Sequence, residues 1–266
     1  MNWERYNELL ALRNSGNVDE AIAELARLSD TETDRLGKAL VLMEIANGLR
    51  LLRRFSDARR KINEALILLG PEHEYYPRAA FLAAAVDMDE ENWKGALKKL
   101  DEILTRYGSV LQTDDHKDLL EKVQQSRGMA LTELKRYSEA RAALENMRSK
   151  EYEPAVTLCY LAISEFELED FDTARRDFEG LLRLDPAPLF QAYAHYYLGK
   201  IFYRRGQLAW AKAEFEKCLA YPDRGKIPDP NLLALLIDTC KGLNLIQDAA
   251  RYSEMLKKVQ GRISSG

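Results

Sequence analysis

Cysteine is scarce, with Cys159, Cys218 and Cys240 the only three in 266 residues. They are odd in number, far apart and without a CxxC pair, which excludes a disulfide framework and the usual zinc spacings. They read instead as buried small apolar side chains. Histidine is as rare, and His73, His116 and His195 form no HxxxH pair or His/Cys cluster, so no metal site is expected. Long apolar runs are missing too. The stretches AAFLAAAV and LLALLI fall far short of the ~20 residues of a spanning helix. MNWERYNELL alternates charge with apolar residues and has no basic start followed by an apolar block, unlike a secretory signal. A cytoplasmic address is therefore expected.

Clustered Lys and Arg are also absent, and the formal net charge is -4. Backbone binding to nucleic acid relies on such clusters to displace phosphate counterions, so neither nucleic acid nor membrane is expected as a partner. The catalytic signatures are lacking as well: no GxxxxGK phosphate loop, no GxGxxG after a strand, no GxSxG elbow and no HExxH pair. Gly199 and Lys200 lie in a helical pattern without the upstream glycine of a phosphate loop. Asp114, Asp115 and His116 form a polar group that reads as a cap before the next helix, because helix starts favour Asp. No catalytic, cofactor-binding or metal-ligating residue is expected, and no cofactor.

What the sequence does contain is repetition. Seven segments share one pattern: NVDEAIAELARL, RFSDARRKINEAL, NWKGALKKLDEIL, RYSEARAALENMR, DFDTARRDFEGLL, QLAWAKAEFEKCL and LIQDAARYSEMLK. In each, an apolar or aromatic residue precedes an alanine by three places, and apolar residues follow four and seven places on. The alanines are Ala21, Ala58, Ala96, Ala140, Ala174, Ala211 and Ala249, separated by 37, 38, 44, 34, 37 and 38 residues. Steps of three and four keep these side chains on one helical face, with alanine admitting a close neighbour. Val18, Phe55, Trp93, Tyr137, Phe171, Leu208 and Ile246 would mark the turn between two helices. Ser253 breaks the pattern in the last segment, as suits a terminal cap.

Two features not used in the alignment agree with it. Nine residues before the turn residue stand Ala46, Ala84, Gly128, Ala162 and Gly199, all small, with Leu9 and Ile237 in the end segments. All eight prolines fall between the segments, whereas proline inside a helix costs ~3 kcal/mol. This pattern resembles the tetratricopeptide repeat, with a period of ~34 residues. Departures are Asp87 and Glu165 at places usually apolar, Arg127 beside Gly128, and Arg5 and Glu8 in the first unit. The wide step around TRYGSVLQTDDHKD implies a longer loop or an extended helix.

The resemblance implies an all-α protein: fourteen helices in about seven hairpins, stacked as one right-handed superhelical solenoid over 1–260, with 261–266 a disordered tail. It implies a protein- or peptide-binding scaffold without catalysis, working through the concave face formed by the first helix of each pair. A peptide-sensing regulator is the alternative, and an RNA-binding helical repeat stands further off. The register places Cys159, Tyr160, Ile163 and Phe166 of the fifth unit on that face. From the sixth it adds Tyr193, Tyr196, Tyr197, Lys200, Tyr203 and Arg204. Tyrosine and arginine suit binding hot spots, but a tyrosine stripe at helical spacing equally suits packing between helices. The carboxylate clamp of some members is not matched: Asn47 and Lys122 fit, while Met43, Leu82 and Ser126 fill the other places. The exposed end faces of such a stack would allow a homodimer.

Overall fold

The computed structural model describes residues 1–113, 116–148 and 152–263. Among them are fourteen α-helices and no strand. They divide into two compact units, Met1–Lys135 and Arg136–Gly266. The first contains α1 (Trp3–Asn14), α2 (Val18–Thr31), α3 (Arg35–Leu51), α4 (Phe55–Leu69), α5 (Tyr76–Asp89), α6 (Trp93–Leu111) and α7 (Lys117–Glu133). The second contains α8 (Tyr137–Glu145), α9 (Pro154–Glu167), α10 (Phe171–Arg183), α11 (Pro188–Arg204), α12 (Leu208–Ala220), α13 (Asp229–Gly242) and α14 (Ile246–Ile263). Within each unit, consecutive helices pack as a chain of hairpins. Odd helices also touch the next odd helix, as α1 on α3, α3 on α5 and α5 on α7 in the first unit, and α9 on α11 in the second.

All seven residues expected at the turns are the first residues of even-numbered helices. The expected alanine is the fourth residue of each. Ala21, Ala58, Ala96, Ala140, Ala174 and Ala211 are wholly buried, and Ala249 nearly so. The small positions of the preceding helices are buried as well, and Gly199 shows why. A Cβ added there would come within 2.5 Å of the Phe215 ring. Prolines Pro154 and Pro188 open α9 and α11, while Pro77 and Pro230 are second residues of α5 and α13. At these places a missing amide leaves no helix bond unmade.

The turns share a backbone device that the alignment did not reveal. Two residues before each even helix the chain is left-handed, at Gly16, Arg53, Glu91, Lys135, Glu169, Gly206 and Asn244. The amide of each bonds the carbonyl three residues back, and after Gly16, Arg53, Glu91, Glu169, Gly206 and Asn244 the following amide reaches five back, onto Leu12, Leu49, Asp87, Glu165, Phe202 and Cys240. This closes the odd helix on its own last carbonyls. A side chain in that conformation costs ~1–2 kcal/mol, so five of the seven turns carry strain that glycine would avoid.

One alternative is settled and two expectations are modified. The 44-residue step reflects an extended helix, since α6 continues through Thr105 to Leu111. Of the polar group before α7, Asp114 and Asp115 lie outside the described residues. His116 is buried, with its ring edge-on to Tyr75 at 6.2 Å, rather than a polar cap. Helix α14 runs through Ile263, so residues 261–263, assigned to a disordered tail, are helical, and 264–266 lie outside the described residues.

Three substitutions test this packing and its turns. Ala174→Leu should lower stability by ~1–3 kcal/mol through overpacking. Arg176→Leu on the exposed side of the same helix should change it little. Gly206→Ala should cost ~1 kcal/mol from backbone conformation alone, since its Cβ would meet nothing within 4 Å. Thermal melts of the three variants give the ranking, and an Ala174→Leu protein melting with the wild type would refute the register.

Candidate functional site

The face in question is carried by the odd helices α9 and α11 of the second unit. Along α11, spacings of three and four align Tyr193, Tyr196, Lys200 and Tyr203 on one side, with Arg204 beside them. The opposite side, with Ala194, Leu198, Ile201 and Phe202, is buried in the core of this unit. On α9, Tyr160 and Ile163 are partly exposed. Phe166 and Cys159, expected on this open face, are 5% and 1% exposed. The reason is that α9 lies between α10 and α11, so its accessible stripe is narrower than that of a free helix. All three cysteines are buried, as read from composition, and burial pushes the Cys159 thiol up to about 12.

The tyrosine stripe divides between packing and display. Tyr197 stacks on Phe178 of α10, with ring centres 5.3 Å apart and planes 7° from parallel. Phe166 meets Tyr197 edge-on at 5.1 Å and touches Phe171 at 5.4 Å. Tyr196 continues the series, 5.4 Å from Tyr197 and 6.4 Å from Phe215 of α12. Each such pair is worth ~0.5–1.5 kcal/mol beyond its buried area. These rings therefore join four helices, and burial raises the hydroxyl pKa of both Tyr196 and Tyr197. Tyr193 is also structural: its hydroxyl accepts the Lys226 amide at 2.9 Å, fastening the connection between α12 and α13.

Over this aromatic series sits Lys200. Its Nζ lies 4.4 Å from the Phe166 ring centre, 4.9 Å from Tyr197 and 5.4 Å from Tyr196. Its one carboxylate neighbour, Glu167, is 3.9 Å away, at the limit of an ion pair. Desolvation holds its pKa below the usual lysine value, partly offset by Glu167. One turn on, Arg204 is exposed and makes no ion pair among the described residues. Tyr203 donates its hydroxyl to Asp238 of α13, which raises the phenol pKa.

Two further polar groups, one in each unit, occupy two of the places where the repeat pattern departs. Asp87 and Glu165 both stand six residues before an even helix, where Leu49 and Phe202 occur elsewhere, and are 2% and 1% exposed. Asp87 is matched by two cations, Arg59 and Lys99. Glu165 shares a single cation with a second acid: Arg148 lies 3.3 Å from Glu165 and 2.7 Å from Asp177. One oxygen of each acid, Oε2 of Glu165 and Oδ2 of Asp177, is buried without a hydrogen bond. Burial first, and then Asp177, pushes the Glu165 carboxyl up to about 8. The sequence marked both acids as irregular, but the cations that meet them come from other helices and loops.

Residues 161–225, which span the aromatic face, match the sequence profile of the tetratricopeptide repeat family. The chain has the tetratricopeptide-repeat fold. RapI in its apo form is similar over 99% of both chains, at 18% identity and a TM-score of 0.67. The apo form of the quorum sensor NprR from B. thuringiensis matches 95% of this chain and 74% of its own, at 16% identity and a TM-score of 0.75. NprR in complex with its cognate peptide NprX matches 96% and 76%, at 16% identity and a TM-score of 0.67. PilW, a widely conserved type IV pilus biogenesis factor, matches over 83% of this chain and 92% of its own, at 19% identity and a TM-score of 0.64. No curated protein matches by sequence.

Among the described residues no three His, Cys, Asp or Glu side chains group as metal ligands, and no helix is long and apolar enough to cross a membrane.

The buried acid pair makes stability depend on pH. Glu165 titrates near 4.3 when unfolded and higher when folded, so the folded protein retains a proton that the unfolded chain releases. Its contribution is full below about pH 4 and is lost as pH rises towards 8. The melting temperature of the wild type should therefore decline between pH 5 and 8 relative to Glu165→Gln, which cannot ionise. Parallel pH profiles for the two proteins would show that Glu165 is not the titrating group.

Proposed function

We propose that this protein is a non-catalytic scaffold that binds a protein or peptide on the odd-helix face of its second unit. The observation that carries the reading is Lys200, an ammonium fixed on three aromatic rings beside the exposed Arg204, which makes no ion pair among the described residues. Aromatic and basic groups held rigidly at a surface are the usual anchors of an interface. Tyr160, Ile163, Tyr196, Lys200, Tyr203 and Arg204 form the contact surface, with Phe166, Tyr193 and Tyr197 supporting it from beneath. The similarity to RapI, NprR and PilW supports the fold on which this reading rests.

A regulator that senses a small peptide is the second reading, favoured by the likeness to NprR with its cognate peptide bound. The two differ in what a short peptide does. A cognate peptide at 100 times its Kd would stabilise the protein by ~2.7 kcal/mol, visible as a raised melting temperature. A scaffold for a folded partner would gain little.

Affinity capture from native cell extract tests the face itself. Wild-type protein should retain a partner that the double variant Tyr160→Ala, Tyr203→Ala releases, while circular dichroism shows the variant still folded. Recovery of the same proteins by both would place the binding surface elsewhere.

A further inference from the structure

The charges on this face are unevenly matched, and that indicates what it receives. Several other cations of the second unit are closely paired. A groove of about 400 Å³ beside the exposed Trp210 has Arg175 bonded to Glu179 at 2.7 Å, and His195 and Lys217 both on Glu214 at 2.7 Å. On the α11 face, by contrast, Lys200 and Arg204 stand one turn apart with only Glu167, at 3.9 Å, between them and neutrality. The neighbouring acid Asp238 is already bonded by Tyr203. Arg204 stands in the last turn of α11, where the helix dipole favours a cation, and the rings hold Lys200, so the two like charges are kept side by side without a close carboxylate among the described residues. The rings under Lys200 fix its head before any ligand arrives, which removes most of the rotamer entropy that a lysine would otherwise lose on binding.

We infer that Lys200 and Arg204 receive the carboxylate of an aspartate or glutamate side chain on a bound peptide segment, with Tyr196 and Ile163 covering its apolar neighbour. The inference rests on the scaffold reading and adds to it the chemistry of the partner. The carboxylate would take the place of the distant Glu167 as the main counter-charge. Arg204 would add the planar donor fork that suits it.

The test is selection from a random peptide library displayed on phage against the full chain. The best peptide is then synthesised with its acid and with the matching amide. Acidic residues should be enriched at one position, and replacing the acid by its amide should weaken binding about tenfold or more. Arg204→Gln should cause a similar loss against the acidic peptide and none against the amide. Because Arg204 is exposed, this variant tests the idea even if Lys200→Gln fails to fold. Arg204→Glu should turn the preference towards basic peptides. Enriched peptides without an acid, or equal losses for acid and amide, would overturn the inference and leave the scaffold reading intact. Failure of the library to yield any binder, or Lys200-dependent retention of a single-stranded RNA oligonucleotide in place of peptide, would overturn both.

Discussion

Everything in this protein depends on how closely two helices approach at one alanine. A hairpin of two amphipathic helices cannot bury its apolar face alone, so it must lie against the next. The wholly buried alanines at the fourth place of the even helices set that distance. With the distance fixed, the small residues opposite are fixed too, and so is the room left for larger groups. Gly199 is the clearest case: its missing side chain is the space that the Phe215 ring fills. Tyr196 can then lean on Phe215, Tyr197 on Phe178 and Lys200 over both tyrosines. The candidate site is a consequence of helix spacing carried through to the surface.

Helix starts and the buried alanine row were legible in the sequence because both are periodic, and period is a property of one chain read in order. The face was only partly legible. Register identifies the side of a helix but not how far a neighbour covers it, which is why Phe166 and Cys159 were placed in the open and lie buried. The register put the residues around Lys200 on one face, but their closure into a cage was not legible. Its three rings come from α9 and α11, more than thirty residues apart at the extremes, and become a unit only when those helices touch. Arg175 shows the same limit: it follows Ala174 and reads as exposed, yet its guanidinium lies 5.2 Å from the Phe202 ring of the next helix pair.

The left-handed turns illustrate a different gap. Composition gives no warning of them, because only Gly16 and Gly206 carry the residue suited to that conformation. Arg53, Glu91, Lys135, Glu169 and Asn244 adopt it through the paired backbone bonds that close each odd helix. The turn is thus imposed by the hairpin rather than chosen by the residue. Sequence patterns built on side-chain preference pass over it.

Near-identical repeats face a problem of order, since one hairpin's apolar face would accept several others. The buried acids bear on it. At the register place of Asp87 and Glu165, other repeats hold Leu49 or Phe202, and three residues after the alanine the companion is Lys99 in one case and Asp177 in the other. A hairpin paired out of turn would set a buried carboxylate against an aliphatic side chain or a second acid without its arginine, at a penalty of several kcal/mol. Arg59 and Arg148, which reach these acids from α4 and from the end of α8, tie the two irregular positions to the neighbours that the alanine pattern alone does not distinguish.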